Sequence, residues 1–256
     1  IMNGLCKFVL FNILTCYGQT VHGSVIIHGE KAPNNSMLYM VSVQNFWGHV
    51  CGGFLVSEDY VVTAAHCNEG KPDRVLLGTQ NLRRQNIMTM KIESMCKFPT
   101  YKSVGLGDDL MLLKLSGKAP LNNGLKTIPL PSPEMNLTEN QICSVAGWGK
   151  TETNPFGNVD DLRVVNVSLL NSQLCRAIWG DNFPSKVICA GGYGTNKGFC
   201  QGDSGGPLVC NGIAAGVVSF NKYANCNYPD VPNVYTDVSK YIEWIDKIMK
   251  AKKCVS

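Results

Sequence analysis

Twelve cysteines spread along 256 residues constrain this chain more than any other feature. They show no metal-ligand spacing: there is no Cys-x-x-Cys pair and no His-x₃-His, and the sequence holds only four histidines. A zinc site is therefore not expected. An even number of cysteines without such spacing fits a disulfide framework assembled in an oxidising compartment. The formal net charge of +4 is small and scattered, its densest run being Lys250, Lys252 and Lys253. No basic motif accompanies it, so nucleic-acid binding is not expected.

The N-terminus reads as an export signal. Lys7 precedes the apolar run from Phe8 to Cys16, interrupted by Asn12. That run is too short to span a bilayer, and no other segment reaches about 18 apolar residues. Val21 and Gly23 occupy the −3 and −1 positions of a cleavage after Gly23, which makes residues 1–23 a signal peptide. Asn34, Asn136 and Asn166 each open a glycosylation sequon.

Beyond residue 25 the pattern is one of short β-type runs between turn residues, with no repeat and no linker. The runs are Tyr39–Gln44, Phe54–Val56, Tyr60–Thr63, Arg74–Leu77, Leu110–Leu115, Ser144–Ala146 and Val164–Leu170. Pro207–Cys210 meets Ile213–Ser219 across Asn211-Gly212, residues that tolerate the positive φ of a type I′ hairpin turn. So many short strands predict an all-β barrel or sandwich. One segment differs. Val238, Tyr241, Ile242, Ile245, Ile248 and Met249 fall on one face of a helix, with Asp237 placed to cap it.

The sharpest chemical signal is Gly202-Asp203-Ser204-Gly205-Gly206-Pro207. Glycines around a serine permit a tight turn that exposes its hydroxyl and the nearby N–H groups. The fragment also fits the Gly-x-Ser-x-Gly elbow of α/β-hydrolases, or an ordinary glycine-rich turn. Chain order separates these readings. His22, His28, His49 and His66 all precede Ser204, whereas an α/β-hydrolase needs its histidine afterwards. A subtilisin order needs an aspartate before the histidine. Only Asp59 precedes His66, and it lies in a polar turn. The remaining order selects His66, Asp109 and Ser204. His66 ends a run of small residues. Asp109 opens the apolar stretch Asp109-Leu110-Met111-Leu112-Leu113, where a carboxylate needs a hydrogen-bond partner. Asp108, the outer member of the pair, is expected to face solvent.

At this point the sequence resembles the chymotrypsin family of serine proteases. The likeness rests on Ile26-Ile27-His28-Gly29, Thr63-Ala64-Ala65-His66-Cys67, Asp109–Leu113, Gly147-Trp148-Gly149 and Gly202–Pro207, and it spans residues 26–256. The resemblance implies two six-stranded antiparallel β-barrels with a C-terminal helix and a site in the cleft between them. It assigns Ser204 as nucleophile, His66 as general base and Asp109 as the group that orients the imidazole. Ser219 resembles the serine that hydrogen-bonds this aspartate, and the N–H groups of Gly202 and Ser204 would form the oxyanion hole. It implies a zymogen in which cleavage after Val25 frees the Ile26 ammonium to pair with Asp203. Ser24-Val25 would then be a two-residue propeptide, as in granule-stored proteases activated by a dipeptidyl peptidase.

The family's disulfide pattern implies Cys51–Cys67, Cys143–Cys210, Cys175–Cys189 and Cys200–Cys226. Cys96 and Cys254 have no usual partner in the family, and the expectation is that they pair with each other. Gly198 stands where trypsins carry the aspartate that binds Lys or Arg. With Phe199, Gln201, Ser219, Asn221 and Asn233 it is expected to shape a narrow, uncharged pocket, as in elastase-type members. Thr79 replaces a calcium-ligating glutamate, so no metal and no cofactor is expected. The resemblance points to a secreted or granule-stored monomeric endopeptidase acting on protein or peptide substrates, with serpin-type inhibitors as further partners. Two other readings stay open: a catalytically weak relative acting as a binding or antimicrobial protein, and a digestive elastase.

Overall fold

A computed structural model describes residues 26–122, 124–151, 157–228 and 230–254. The expected signal peptide and propeptide lie outside the described residues. Thirteen strands are present among them. They are β1 (Glu30–Lys31), β2 (Met40–Asn45), β3 (Gly48–Leu55), β4 (Tyr60–Thr63), β5 (Arg74–Leu77), β6 (Met88–Lys97), β7 (Met111–Leu115), β8 (Ile142–Gly147), β9 (Arg163–Ser168), β10 (Val187–Cys189), β11 (Pro207–Cys210), β12 (Ile213–Phe220) and β13 (Val234–Asp237).

Strands β2 to β7 close into an antiparallel barrel in the order β2-β3-β4-β7-β6-β5. The apolar runs anticipated at β4, β5 and β7 form its walls. The inner residues Phe54, Leu55, Val61, Leu112 and Leu113 are fully buried. Strand β6 was not anticipated. Burial alternates along all ten residues, with a register shift between Ile92 and Ser94, but Ser94 takes an inward position and Met95 an exposed one, so the apolar residues themselves lose the two-residue period.

The remaining strands form one sheet in the order β1-β9-β8-β11-β12-β13-β10. Seven strands stand where six were expected, because the two-residue β1 adds to the outer edge of β9. A single bridge, Leu169 with Ala190, and the bond from Leu170 N to Cys189 O bring β9 back to β10 and complete the second barrel. The β11–β12 hairpin turns at Asn211 and Gly212, both at positive φ as the sequence required.

Two α-helices are present among the described residues. Helix α1 (Ser172–Trp179), unforeseen, is capped by the Asn171 side chain, which accepts from the N–H groups of Gln173 and Leu174. Its only buried residue is Cys175; the segment is amphipathic, but eight residues make little more than two turns. Helix α2 (Ile242–Ala251) begins later than the apolar spacing suggested. Asp237 caps a separate turn of 3₁₀ helix, Val238–Lys240, and Tyr241 at φ −127° divides the two. Tyr241, Ile245 and Ile248 bury into the first barrel's core, and the Cys96–Cys254 disulfide ties the end of α2 to β6. The four pairings implied by the resemblance are present as well.

Candidate active site

Both barrels contribute to one cleft. From the first barrel, the strand-ending Thr63-Ala64 leads into a 3₁₀ turn that carries His66, braced by the Cys51–Cys67 disulfide. Asp109 sits just before β7 and is fully buried. Its Oδ2 lies 2.7 Å from His66 Nδ1 and accepts from Ser219 Oγ at 2.6 Å, while its Oδ1 accepts the His66 backbone N–H at 2.9 Å. Thr236 Oγ1 donates to the Asp109 carbonyl oxygen at 3.0 Å. Burial alone would raise the Asp109 pKa, but these hydrogen bonds and the imidazole hold it below the usual carboxylate range. Burial likewise works to lower the His66 pKa. The Asp109 hydrogen bond and charge, aided by Glu69, outweigh it and raise the imidazole's proton affinity.

Ser204 comes from the loop before β11. Its carbonyl oxygen accepts Gly52 N–H from β3 at 2.8 Å, which docks the loop against the first barrel. His66, Ser204 and Ser219 line one cavity of about 370 Å³ with Phe199, Gln201 and Asn221. No hydrogen bond joins His66 to the Ser204 hydroxyl among the described residues. Such bonds are often long without substrate and tighten when it binds. The N–H groups of Gly202 and Ser204 donate to no protein acceptor among the described residues, which leaves them available to a ligand. Gln201 Nε2 is anchored to the Ala224 carbonyl at 2.7 Å. Gly198 and Asn233, also expected in the pocket, are buried and do not line the cavity.

Asp203, beside the nucleophile, is buried without exposure. Its Oδ1 accepts Gly149 N–H and its Oδ2 accepts Cys200 N–H, each at 2.8 Å. The Gly147-Trp148-Gly149 motif makes room for it: a Cβ on either glycine would approach its carboxylate to 2.1 or 2.6 Å. No cation pairs with Asp203 among the described residues. Burial pushes its pKa up to about 7, against the pull of the two N–H donors. Ile26 is fully buried in the second barrel's core beside Val145, Phe199 and Leu208.

Two features differ from the sequence reading. Asp108 is not solvated. It accepts from Tyr241 Oη at 2.9 Å, Lys186 Nζ at 3.2 Å and Thr100 Oγ1, and its side chain is only 20% exposed. His49, which had no assigned role, bridges Ser42 Oγ at 2.7 Å and the Gly202 carbonyl oxygen at 2.8 Å. Burial lowers its pKa to about 4 although the Gly202 bond opposes this, so the ring is neutral near pH 7. Its placement against a carbonyl 153 residues away leaves no local sequence signal.

A larger cavity of about 750 Å³ lies beside α1, lined by Met135, Leu137, Leu169, Phe183 and Ile188 among others. Its lining includes Ser239, whose Oγ donates to Asp237 Oδ1 at 2.7 Å, but no histidine among the described residues.

A trypsin-family profile matches residues 26–245. The chain is 38% identical to granzyme-like protein 2 of Rattus norvegicus, over 95% of this chain and 97% of that protein. It is 35% identical to duodenase-1 of Bos taurus, over 96% and 97% respectively. It is 37% identical to granzyme B of Rattus norvegicus, over 95% and 99%. The chain therefore belongs to the trypsin family, with granzyme and mast cell protease relatives, and is a serine endopeptidase. No helix among the described residues is long and apolar enough to cross a membrane.

Proposed function

We propose that Ser204, His66 and Asp109 form the catalytic triad of this endopeptidase. Ser204 Oγ attacks the peptide carbonyl while His66 takes its proton and later gives it to the leaving amine. Asp109 fixes the tautomer and stabilises the imidazolium. The N–H groups of Gly202 and Ser204 stabilise the oxyanion, where losing one donor costs about 10²–10³ in rate. The observation that carries this reading is the 2.7 Å His66–Asp109 contact, completed by Ser219, in the cavity that Ser204 shares.

Release of a free N-terminus at Ile26 supplies the ammonium for Asp203, and the buried carboxylate, with no cation paired to it among the described residues, supports this step. The activating enzyme is a dipeptidyl peptidase removing Ser24-Val25. The enzyme is secreted or stored in granules, a reading supported by the granzyme and mast cell protease relatives. Cleavage follows small or medium uncharged residues, since Gly198 offers no carboxylate to a Lys or Arg side chain.

Ser204→Ala is the test. The variant is expected to fold and to lose turnover, keeping about 10³–10⁴ over water from the oxyanion hole and binding. Near-wild-type turnover would remove Ser204 from the nucleophile role.

A further inference from the structure

Phe199 and Asn221 are among the residues lining the cavity at Ser204. Behind them stands Tyr228, in the loop that follows Cys226. Its hydroxyl donates to the Phe199 carbonyl oxygen at 2.5 Å and accepts from Asn221 Nδ2 at 3.0 Å. Asn221 Nδ2 also reaches the Asn225 carbonyl at 3.1 Å, and Asn233 Oδ1 accepts Phe199 N–H at 3.1 Å. The Cys200–Cys226 disulfide staples together the two loops that carry Phe199 and Tyr228. A phenol, two amides and one stretch of backbone thus form a linked network around Phe199, in which the buried Asn233 Nδ2 has no hydrogen-bond partner among the described residues.

Gly198 has a different meaning in this setting. A Cβ there would stand 2.6 Å from Tyr228 Cε2 and 2.2 Å from Asn233 Oδ1. The missing side chain therefore does not leave a deep empty slot; the Tyr228 ring and Asn233 fill the space. Displacing the ring would break both hydroxyl bonds and leave buried polar groups unpaired, which is unfavourable. The ring is also electrically neutral near pH 7, because burial pushes the phenol up to about 12.

We propose that Tyr228 is a specificity-determining residue: it stoppers the substrate side-chain pocket and limits the residue before the scissile bond to Gly, Ala or Ser. The proposal rests on the catalytic reading above and narrows its substrate class. A side chain as large as Leu or Phe meets the network of Phe199, Asn221 and Tyr228 before its bulk is accommodated. The signal could not be read from the sequence, since Tyr228 lies in an irregular loop with no periodicity.

The test uses protein beginning at Ile26, with Tyr228→Ala and Tyr228→Phe variants. Active sites are counted with a fluorophosphonate probe. Peptides with Ala, Leu or Phe before the scissile bond are then compared. The wild type is expected to favour Ala over Leu and Phe by at least about 10²-fold in kcat/KM, the discrimination a tight apolar pocket can reach. Tyr228→Ala should raise kcat/KM for the Leu and Phe peptides at least tenfold per labelled site. Tyr228→Phe keeps the ring but loses both anchors, and should give a smaller gain in the same direction. The proposal is overturned if the wild type cleaves Leu or Phe peptides as fast as Ala peptides. It is equally overturned if labelled Tyr228→Ala keeps the wild-type profile. Should that variant not fold, an unchanged ratio in Tyr228→Phe decides against it. Absence of labelling in the wild type has a separate meaning, since it removes the catalytic reading and this proposal with it.

Discussion

Two aspartates, Asp109 before β7 and Asp203 before β11, are equally and completely buried, yet burial has opposite outcomes for them. Asp109 faces an imidazole, a hydroxyl and a backbone N–H, and its carboxylate is held ionised. Asp203 has two backbone N–H donors and, among the described residues, no cation, and burial pushes its pKa up to about 7. Depth of burial is the same; the partners differ. Asp109 finds a titratable partner within the fold, whereas both partners of Asp203 are neutral N–H donors. Under the proposed activation, a freed Ile26 ammonium is the charge that offsets this difference.

The largest expected effect comes from breaking the Asp109 side. Asp109→Asn keeps the shape but lets His66 take the wrong tautomer. In protein beginning at Ile26, kcat is expected to fall by about 10⁴, the loss known for this arrangement. A fall of less than tenfold in steady-state assays would show that Asp109 does not orient His66.

Asp203→Asn breaks the other side. Trimming to Ile26 should raise the activity of the parent strongly and that of the variant little. The difference between trimmed forms is expected to be roughly 10²–10⁴-fold, because a buried charge without its partner costs about 3–5 kcal/mol. Equal activity of trimmed and untrimmed parent, measured on one peptide substrate, would contradict the zymogen account.

The same contrast appears in the pH dependence of stability. While Ile26 remains peptide-linked, folded Asp203 holds a proton up to about pH 7 that the unfolded chain releases near 3.8. The folded state then binds more protons between those values, so its stability falls as pH rises through that window. The loss is on the order of 4 kcal/mol at most, and Asp203→Asn should flatten the curve in urea titrations. Asp109 has the opposite sign: its contribution is present above the usual carboxylate range and is lost as pH falls through its lowered folded value.

The smallest effect is expected at His49, which joins the two regions through the Gly202 carbonyl. Its folded pKa of about 4 lies below the ordinary 6.5, so its contribution is present above pH 6.5 and disappears as pH falls toward 4. His49→Phe should cost about 1–3 kcal/mol by leaving a buried acceptor unpaired. It should also remove that acid-side dependence from the melting curve.

The parts of the site that were legible in the sequence were those with strict local chemistry. A serine between glycines, a histidine after small residues and an aspartate opening an apolar strand could each be found, and their chain order excluded rival folds. Gly147 and Gly149 could be recognised as a motif, but their purpose appears only when Asp203 is seen lying against them. Strands with clean runs, such as β4, β5 and β11, matched the sequence reading residue for residue. Strand β6 escaped because Ser94 points inward and Met95 outward, which hides its alternation, and β10 because it is only three residues long; in β13 only Val234 and Tyr235 are apolar. Asp108 was misjudged because its partners Tyr241 and Lys186 come from distant segments. Tyr228 and His49 were invisible for the same reason: each acts through contacts made far along the chain or within irregular loops.

The central claim is that Ser204 becomes an activated nucleophile only when the Asp203 side is completed. A fluorophosphonate probe reacts with such a serine and not with an ordinary hydroxyl. Peptide mapping by mass spectrometry after labelling, on protein beginning at Ile26 and on protein still carrying Ser24-Val25, reads this directly. The account predicts a phosphonyl adduct on Ser204 in the first form and little or none in the second. No adduct in either form, or an adduct on a different residue, would contradict it.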